Sequence, residues 1–313
     1  MQKNILKATY SKSFGNSRDD FEDDNPWVGR KSKKADSPWP EKEKALTNKS
    51  FAAAKHEEKE PPWLKAISLL ATEKGREKEG LFLAEGARVV LEMAERHGDL
   101  VQGIYVEETF DDEVLRKKIK ESGFRMHTLS TAQMKQVSTV VNGQGIFAAC
   151  RLANEKPNYD TARTLTLVDA IQDPGNLGAL FRTAVGFGID GMILGRGTAD
   201  PFNPKVVRGS SGNFLRMPFE RGIDLQERVS LLRQKDFCII AASPYAKKSV
   251  AELTPRQSKK IALIIGNEGS GTDTRIGDLA NEWVKIPMEN SLESLNVAVA
   301  HGILCYQIEQ LRK

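Results

Sequence analysis

The stretch Ile286-Pro287-Met288-Glu289-Asn290-Ser291-Leu292-Glu293-Ser294-Leu295-Asn296-Val297 decides how the rest of the chain is read. The residues from Trp283 to Ile286 predict a short strand, a proline-containing loop follows, and a helix then carries the chain to its end. Ser291 or Ser294 can cap that helix, with acidic Glu293 in its first turn. Leu295, Ala298, Val299, Gly302, Ile303 and Tyr306 recur at helical spacing, so one stripe must pack on something. Alone, the stretch is a capped C-terminal helix on a sheet. Polar Ser294 and Asn296 sit between two apolar blocks at its mouth, and two earlier stretches agree with a functional reading.

Upstream of it, apolar runs at Leu165 to Val168, Gly191 to Leu194, Phe237 to Ala241, Ile261 to Ile265 and Val284 to Ile286 alternate with helical segments. Near-continuous aliphatic strands separated by helices predict a parallel sheet covered on both faces. The loops leaving four of these strands are polar, glycine-rich or built of small residues: Asp169 to Asn176, Ala242 to Tyr245, Gly266 to Gly271 and Pro287 to Ser291. Ligands of open α/β sheets bind outside the carboxyl ends of the strands, so these loops are expected to converge on one pocket.

The first of them reads Gln172-Asp173-Pro174-Gly175-Asn176-Leu177-Gly178-Ala179-Leu180-Phe181-Arg182-Thr183. Asp173-Pro174-Gly175 is a turn, and Asn176 can cap the helix after it. Arg182 is then a charge on an otherwise apolar helix, which alone would be a snorkelling surface arginine. The other is Gly266-Asn267-Glu268-Gly269-Ser270-Gly271, directly after an aliphatic strand. Its glycines let backbone groups approach a ligand closely. It is neither a Walker A loop, since no Lys-Ser/Thr follows, nor the dinucleotide pattern G-x-G-x-x-G.

Composition narrows the partners. At 313 residues, 40% hydrophobic and 28% charged, the chain has room for about two domains with proper cores. A net charge of only +4 permits an anionic partner without demanding one. Cys150, Cys238 and Cys305 lie far apart in apolar runs and read as buried free thiols of a reducing compartment. The four histidines show no metal-ligand spacing, and His301 within the last helix reads as a packing or solvent-facing residue. No apolar run is long enough to span a membrane and no apolar signal-peptide core begins the chain, so the expectation is a soluble, cytoplasmic protein.

Residues 1–60 carry few aliphatics and mixed charge, and are expected to be a disordered extension. Pro-Trp recurs there and just beyond, at Pro26-Trp27, Pro38-Trp39 and Pro62-Trp63, offering flat faces to a base or a partner's groove. From Trp63 the pattern is globular: a helix from Trp63 to Glu79, then alternating strands and helices to about Leu152, a small α/β domain. Asn154 to Asp160 is the expected linker.

Together the three loops resemble the three sequence motifs of the SpoU/TrmH-like branch of the SPOUT RNA methyltransferases. Asn176 and Arg182 fall on the first motif, Gly266-Asn267-Glu268-Gly269 on the second, and Ile286-Pro287-Met288 with Ser294-Leu295-Asn296-Val297 on the third. Asn203 to Gly212 is similar to the segment between the first two motifs, and Phe82 to Arg88 with Gly145-Ile146 resembles the accessory domain of rRNA-modifying members. The resemblance covers residues 63 to 313. In one departure, Asn290 or Ser291 stands where third motifs often carry glycine, and asparagine is the next best residue for a left-handed backbone.

The resemblance implies an α/β fold in three parts: an extension at 1–60, an accessory RNA substrate-binding domain at 61–153, and a parallel-sheet SPOUT domain with a deep trefoil knot at 160–313. It implies S-adenosylmethionine bound bent in the knot, no metal, and two subunits paired across the site as a homodimer. Gly266, Ile286 and Leu295 would hold the cofactor largely through backbone atoms, with Met288 packing nearby. The reaction would be methyl transfer to a ribose 2'-hydroxyl of RNA, with rRNA favoured over tRNA because of the accessory domain. Arg182 would act either as the base or as a phosphate clamp while Glu268 takes the proton; a guanidinium with pKa above about 12 suits the clamp better. Asn176, Ser294 and Asn296 would orient the ribose and Arg182, and Lys205 and Arg208 would contact the RNA backbone. The rivals are a homologue that binds RNA without catalysis and an ordinary nucleotide-binding α/β enzyme, which would lack its phosphate loop.

Overall fold

The computed structural model describes residues 62–254, 260–267, 269–289 and 294–311. The extension with Trp27 and Trp39, and also Glu268, Asn290, Ser291 and Glu293, lie outside the described residues. Where one helix was expected from Trp63 to Glu79, there are two: α1 (Pro62–Leu69) and α2 (Glu73–Glu79). The break has a local cause. Thr72 caps α2 by accepting from Gly75 N–H, and Gly75 lies so close to the Leu69 carbonyl that a Cβ would sit 1.9 Å from its oxygen. Trp63 belongs to the globular part, where the pattern was expected to begin: it stacks on Tyr105 with ring centroids 5.1 Å apart.

Next come β1 (Leu81–Glu85), α3 (Ala87–Arg96), β2 (Val101–Glu107), α4 (Glu113–Glu121), β3 (Met126–Leu129), α5 (Thr131–Val137) and β4 (Ile146–Arg151). The expected alternation is present, with α5 added; a capping box between Ser130 and Gln133 starts that short helix. The sheet order is β1-β4-β2-β3, antiparallel at both edges of β4 and parallel between β2 and β3. Leu81 and Leu83 pack with α1 and α5, while Phe82 and Ala84 join the main core.

The second sheet is parallel at every pairing, in the order β7-β6-β5-β10-β8-β11-β9. Its elements are β5 (Thr164–Val168), α6 (Pro174–Gly186), β6 (Gly191–Gly195), α7 (Pro204–Gly209), β7 (Phe219–Ile223), α8 (Leu225–Gln234), β8 (Cys238–Ala242), β9 (Lys248–Ser249), β10 (Ile261–Ile265), α9 (Thr274–Gly277), β11 (Glu282–Lys285) and α10 (Val297–Gln310). Along β10, Ile261, Leu263 and Ile265 join one cluster and Ala262 and Ile264 the other, so both faces are covered, as its aliphatic run implied. β7 escaped the sequence reading because Glu220 and Arg221 interrupt its apolar pattern, and β9 because it is two residues long. Among the described residues no helix is long and apolar enough to cross a membrane.

Asn154 to Asp160 holds no helix or strand, yet it is fastened: Asn154 Nδ2 donates to the Phe219 carbonyl and Phe219 N–H to that of Glu155. The two sheets also share a core. Phe82 of β1 packs against Phe202 and Phe214, which in turn meet Phe219 of β7. Two ion pairs seal the joint: Arg76 to Asp200 at 2.6 Å, and Arg208 to Glu85 at 3.0 Å. Asp200 and Glu85 are nearly inaccessible to solvent.

The C-terminal helix departs from expectation twice. Its cap is Asn296 and not Ser294: Asn296 Oδ1 accepts from the N–H groups of Ala298 and Val299, while Ser294 precedes the helix. The stripe at Val299, Ile303 and Tyr306 remains exposed, and the face that packs on α6 and the sheet is Val297, His301, Leu304, Cys305 and Ile308. Cys238 is half-buried, not buried like Cys150 and Cys305.

His301 is fully buried, with Nε2 3.1 Å from Thr166 Oγ1 on β5 and 3.2 Å from Cys305 Sγ. Burial pushes its pKa down to about 4. A histidine depressed in the folded state holds fewer protons than the unfolded chain, so its stabilising contribution is complete above the unfolded pKa near 6.5 and declines as pH falls towards 4. Between pH 7.5 and 5 the loss amounts to about 2 kcal/mol. Denaturant unfolding of wild type and His301→Leu at both pH values checks this: between them wild type should lose about 2 kcal/mol more than the variant, whose remaining pH dependence comes from other buried groups such as His97 and His127.

Candidate active site

In the second sheet, β10 lies between β5 and β8, so the strand order reverses beside β5. Such a switch point opens a crevice at the carboxyl ends of the strands. The loops leaving β5 and β10 are stitched together there. Asp169 N–H donates to the Ile265 carbonyl, Asn267 Nδ2 to the Ala170 carbonyl at 2.7 Å, and Asp273 N–H to Asp169 Oδ2 at 2.8 Å. Burial pushes the Asp169 carboxyl above its usual range, partly offset by the Asp273 N–H. Ala170 takes a positive φ of 54°, which the Asn267 bond helps to hold.

Gly266 is a tight point of that loop. A Cβ there would lie 2.2 Å from Thr272 N, so the glycine lets the loop double back on itself. Asn267 closes the loop from inside: its Oδ1 accepts from Gly269 and Ser270 N–H, and its backbone bridges Gly271. Asn267 and Asp169 are structural members of the site that received no role from the sequence. Their signal is position, since each begins the loop after an aliphatic strand.

The α6 cap is Asp173, not Asn176: Asp173 Oδ1 accepts from Asn176 N–H, with Pro174 at the first helical position. Asp followed by Pro is itself a helix-start signal, so this correction was available in the sequence. Asn176 is freed for another partner: its Oδ1 accepts from Asn296 Nδ2 at 3.0 Å, across 120 residues of chain. The first and third motifs therefore meet.

Arg182 is exposed on α6, between buried Phe181 and half-buried Thr183, and forms no hydrogen bond or ion pair among the described residues. Ser294 is exposed, and Ile286, Met288 and Leu295 are half-buried. The backbone groups of Gly266, Ile286, Met288 and Leu295 have no hydrogen-bond partner among the described residues. Apolar walls with unpaired backbone donors and acceptors are the chemistry an adenosine moiety requires, so these residues fit S-adenosylmethionine.

Lys205 and Arg208 sit on α7, which crosses α6 closely: a Cβ on Gly178 would lie 2.8 Å from the Val206 carbonyl oxygen and 3.0 Å from Gly209 Cα. Lys205 Nζ pairs with Asp173 Oδ2 at 2.8 Å, and Arg208 Nη1 bonds Glu85 Oε2 and Thr139 Oγ1. Both cations thus have carboxylate partners, and the lysine pulls the Asp173 carboxyl below its usual range.

A parallel sheet with its crevice at the β5–β10 switch point, behind a mixed-sheet domain, is the architecture of the SPOUT methyltransferases. The model described as "SpoU rRNA Methylase family" matches residues 164–306, and that described as "MRM3-like substrate binding domain" matches residues 62–148. A 23S rRNA (guanosine(2553)-2'-O)-methyltransferase of Bacillus subtilis, RlmP, is 36% identical over 239 residues, covering 76% of this chain and 92% of the relative. The chain belongs to the SpoU rRNA methylase family. A solved RNA 2'-O ribose methyltransferase superposes with a TM-score of 0.69 at 26% identity, over 80% of this chain and 96% of that one. The SpoU methyltransferase AviRb of Streptomyces viridochromogenes, solved in complex with AdoMet, shares the fold: TM-score 0.69, 21% identity, over 80% of this chain and 98% of that one.

Proposed function

We propose that this chain transfers a methyl group from S-adenosylmethionine to a ribose 2'-hydroxyl of large-subunit rRNA. The observation that carries the reading is the Asn176–Asn296 hydrogen bond, which joins the first and third motifs beside the stitched β5 and β10 loops. Gly266, Ile286, Leu295 and Met288 hold the cofactor, whose sulfonium supplies the methyl and its leaving group. Asn176, Ser294 and Asn296 orient the ribose, and Arg182 clamps the adjoining phosphate while Glu268 accepts the hydroxyl proton. An exposed guanidinium fork is suited to a phosphate and poorly suited to giving up a proton.

Three further parts belong to this proposal. Residues 61–153 form the accessory substrate-binding unit and 160–313 the catalytic one. The C-terminal segment is knotted, which fits β10 lying between β5 and β8 while α10 returns to β5 through His301. The enzyme works as a cytoplasmic homodimer whose subunits cover the exposed stripe of Val299, Ile303 and Tyr306. Ile303→Asp should then sediment as a monomer where wild type sediments as a dimer.

The product tests the chemistry. A 2'-O-methyl group removes the internal nucleophile that alkali needs to cleave the adjoining phosphodiester. Undermodified rRNA incubated with the protein and S-adenosylmethionine, then partially hydrolysed, should show one gap in the ladder. Methyl label recovered on a free base would sink the assignment.

A further inference from the structure

Between the accessory domain and α7 lies a cleft of about 390 Å³. Ala71, Gln136, Ser138 and Thr139 line one side of it, and Lys205 and Arg208 the other. Its size falls within the range of small-ligand sites, roughly 300–1,000 Å³. The lining holds two cations, two amides and two hydroxyls, and no carboxylate.

The arginine is held ready. Buried Glu85 accepts from Ser138 Oγ, from Thr139 N–H and Oγ1, and from Arg208 Nη1, and Thr139 Oγ1 also accepts from that nitrogen, so the accessory domain fixes one guanidinium nitrogen of α7. Arg208 Nε and Nη2 have no partner among the described residues. Folding has already ordered this side chain, so its free edge can take a phosphate oxygen at little further entropic cost. The lysine is held loosely. Its pair with Asp173 has both side chains about half exposed, and such pairs contribute at most about 1 kcal/mol. Asp173 caps α6, the helix that carries Asn176 and Arg182, so the cleft stands one side chain from the first motif.

We propose that this cleft receives a phosphodiester of the RNA strand next to the methylated nucleotide, bound by the free edge of Arg208 and by Lys205 released from Asp173. The proposal rests on the chain being an RNA methyltransferase, and it assigns the accessory domain a definite place in binding: the Ser138–Thr139 turn is the wall that holds Arg208.

Ala71 tests it, because its side chain is exposed in the cleft and only its carbonyl serves the fold, accepting from Arg76. The probe is a fluorescein-labelled fragment of undermodified large-subunit rRNA, read by anisotropy over a salt series. Ala71→Glu should weaken binding about tenfold while equal-sized Ala71→Gln binds like wild type, both variants melting at the wild-type temperature. Lys205→Met should lower the slope of log affinity against log salt by about 1. The same RNA carrying 4-thiouridine should photo-crosslink to peptides containing Gln136–Thr139 or Asn203–Lys205. Equal binding by the two Ala71 variants, with crosslinks confined to other peptides, would overturn the cleft while ribose methylation by wild type left the enzyme reading standing. Crosslinks in the cleft without any methyl transfer would uphold the cleft and remove that reading.

Discussion

Arg182→Lys should lose at least about a hundredfold in single-turnover methyl transfer while binding S-adenosylmethionine as tightly as wild type. The substitution keeps the positive charge and removes the planar fork, so it separates charge from geometry. Arg182 is exposed, and among the described residues nothing holds it, so the fold has no stake in its side chain and the variant should melt like wild type. A fall in rate with unchanged melting and unchanged cofactor affinity places the effect in the transition state. Glu268→Gln then divides the two accounts of the proton. If the carboxylate is the base, its amide should be nearly inactive; if Glu268→Gln turns over like wild type, the clamp-and-carboxylate account fails. Rapid-quench measurement of methyl transfer with saturating RNA, beside equilibrium dialysis for the cofactor, gives both quantities.

Much of the catalytic half was legible because its signals are local. A short aliphatic run rich in isoleucine, such as Ile261 to Ile265, favours a strand covered on both faces, and the loops after such strands mark the ligand crevice. What was not legible turns on competition between near-equivalent residues or on contacts distant in sequence. Ser294 and Asn296 are both good caps two residues apart, as are Asp173 and Asn176 three apart, and backbone geometry decides between them. The last helix shows the same limit. It is apolar nearly all round, so spacing alone could not tell the face packed on α6 from the one left open. Arg76 and Asp200 are 124 residues apart, and Arg208 and Glu85 are 123 apart; no local pattern announces either pair. Arg208 was read as an RNA ligand from its segment alone, and the structure adds that Glu85 holds one of its nitrogens.

Asp200→Ala should cost about 3–5 kcal/mol, which lowers the melting temperature by roughly 6–20 °C in a folded region of this size. The Asp200 carboxylate is 5% exposed and serves two guanidinium groups, Arg76 at 2.6 Å and Arg221 at 3.1 Å. Its Oδ1 also accepts from Phe202 N–H, which shapes the turn beneath the aromatic cluster joining the two sheets. Arg76 is 3% exposed, and its Nη1 already donates to the carbonyls of Leu70 and Ala71, so it cannot swing out to water without unmaking the α1–α2 break. Removing the carboxylate therefore strands a buried cation, and that penalty exceeds the worth of the pair itself. The comparison with Arg76→Met/Asp200→Leu makes the cause visible, because the double variant removes both buried charges and should recover a large part of the loss. Calorimetry also shows where the pair acts. As a clasp between two domains that share a core, its loss should lower one cooperative transition. Two separated transitions in Asp200→Ala would mean that the accessory domain and the parallel sheet unfold independently, and that the shared phenylalanine cluster does not couple them.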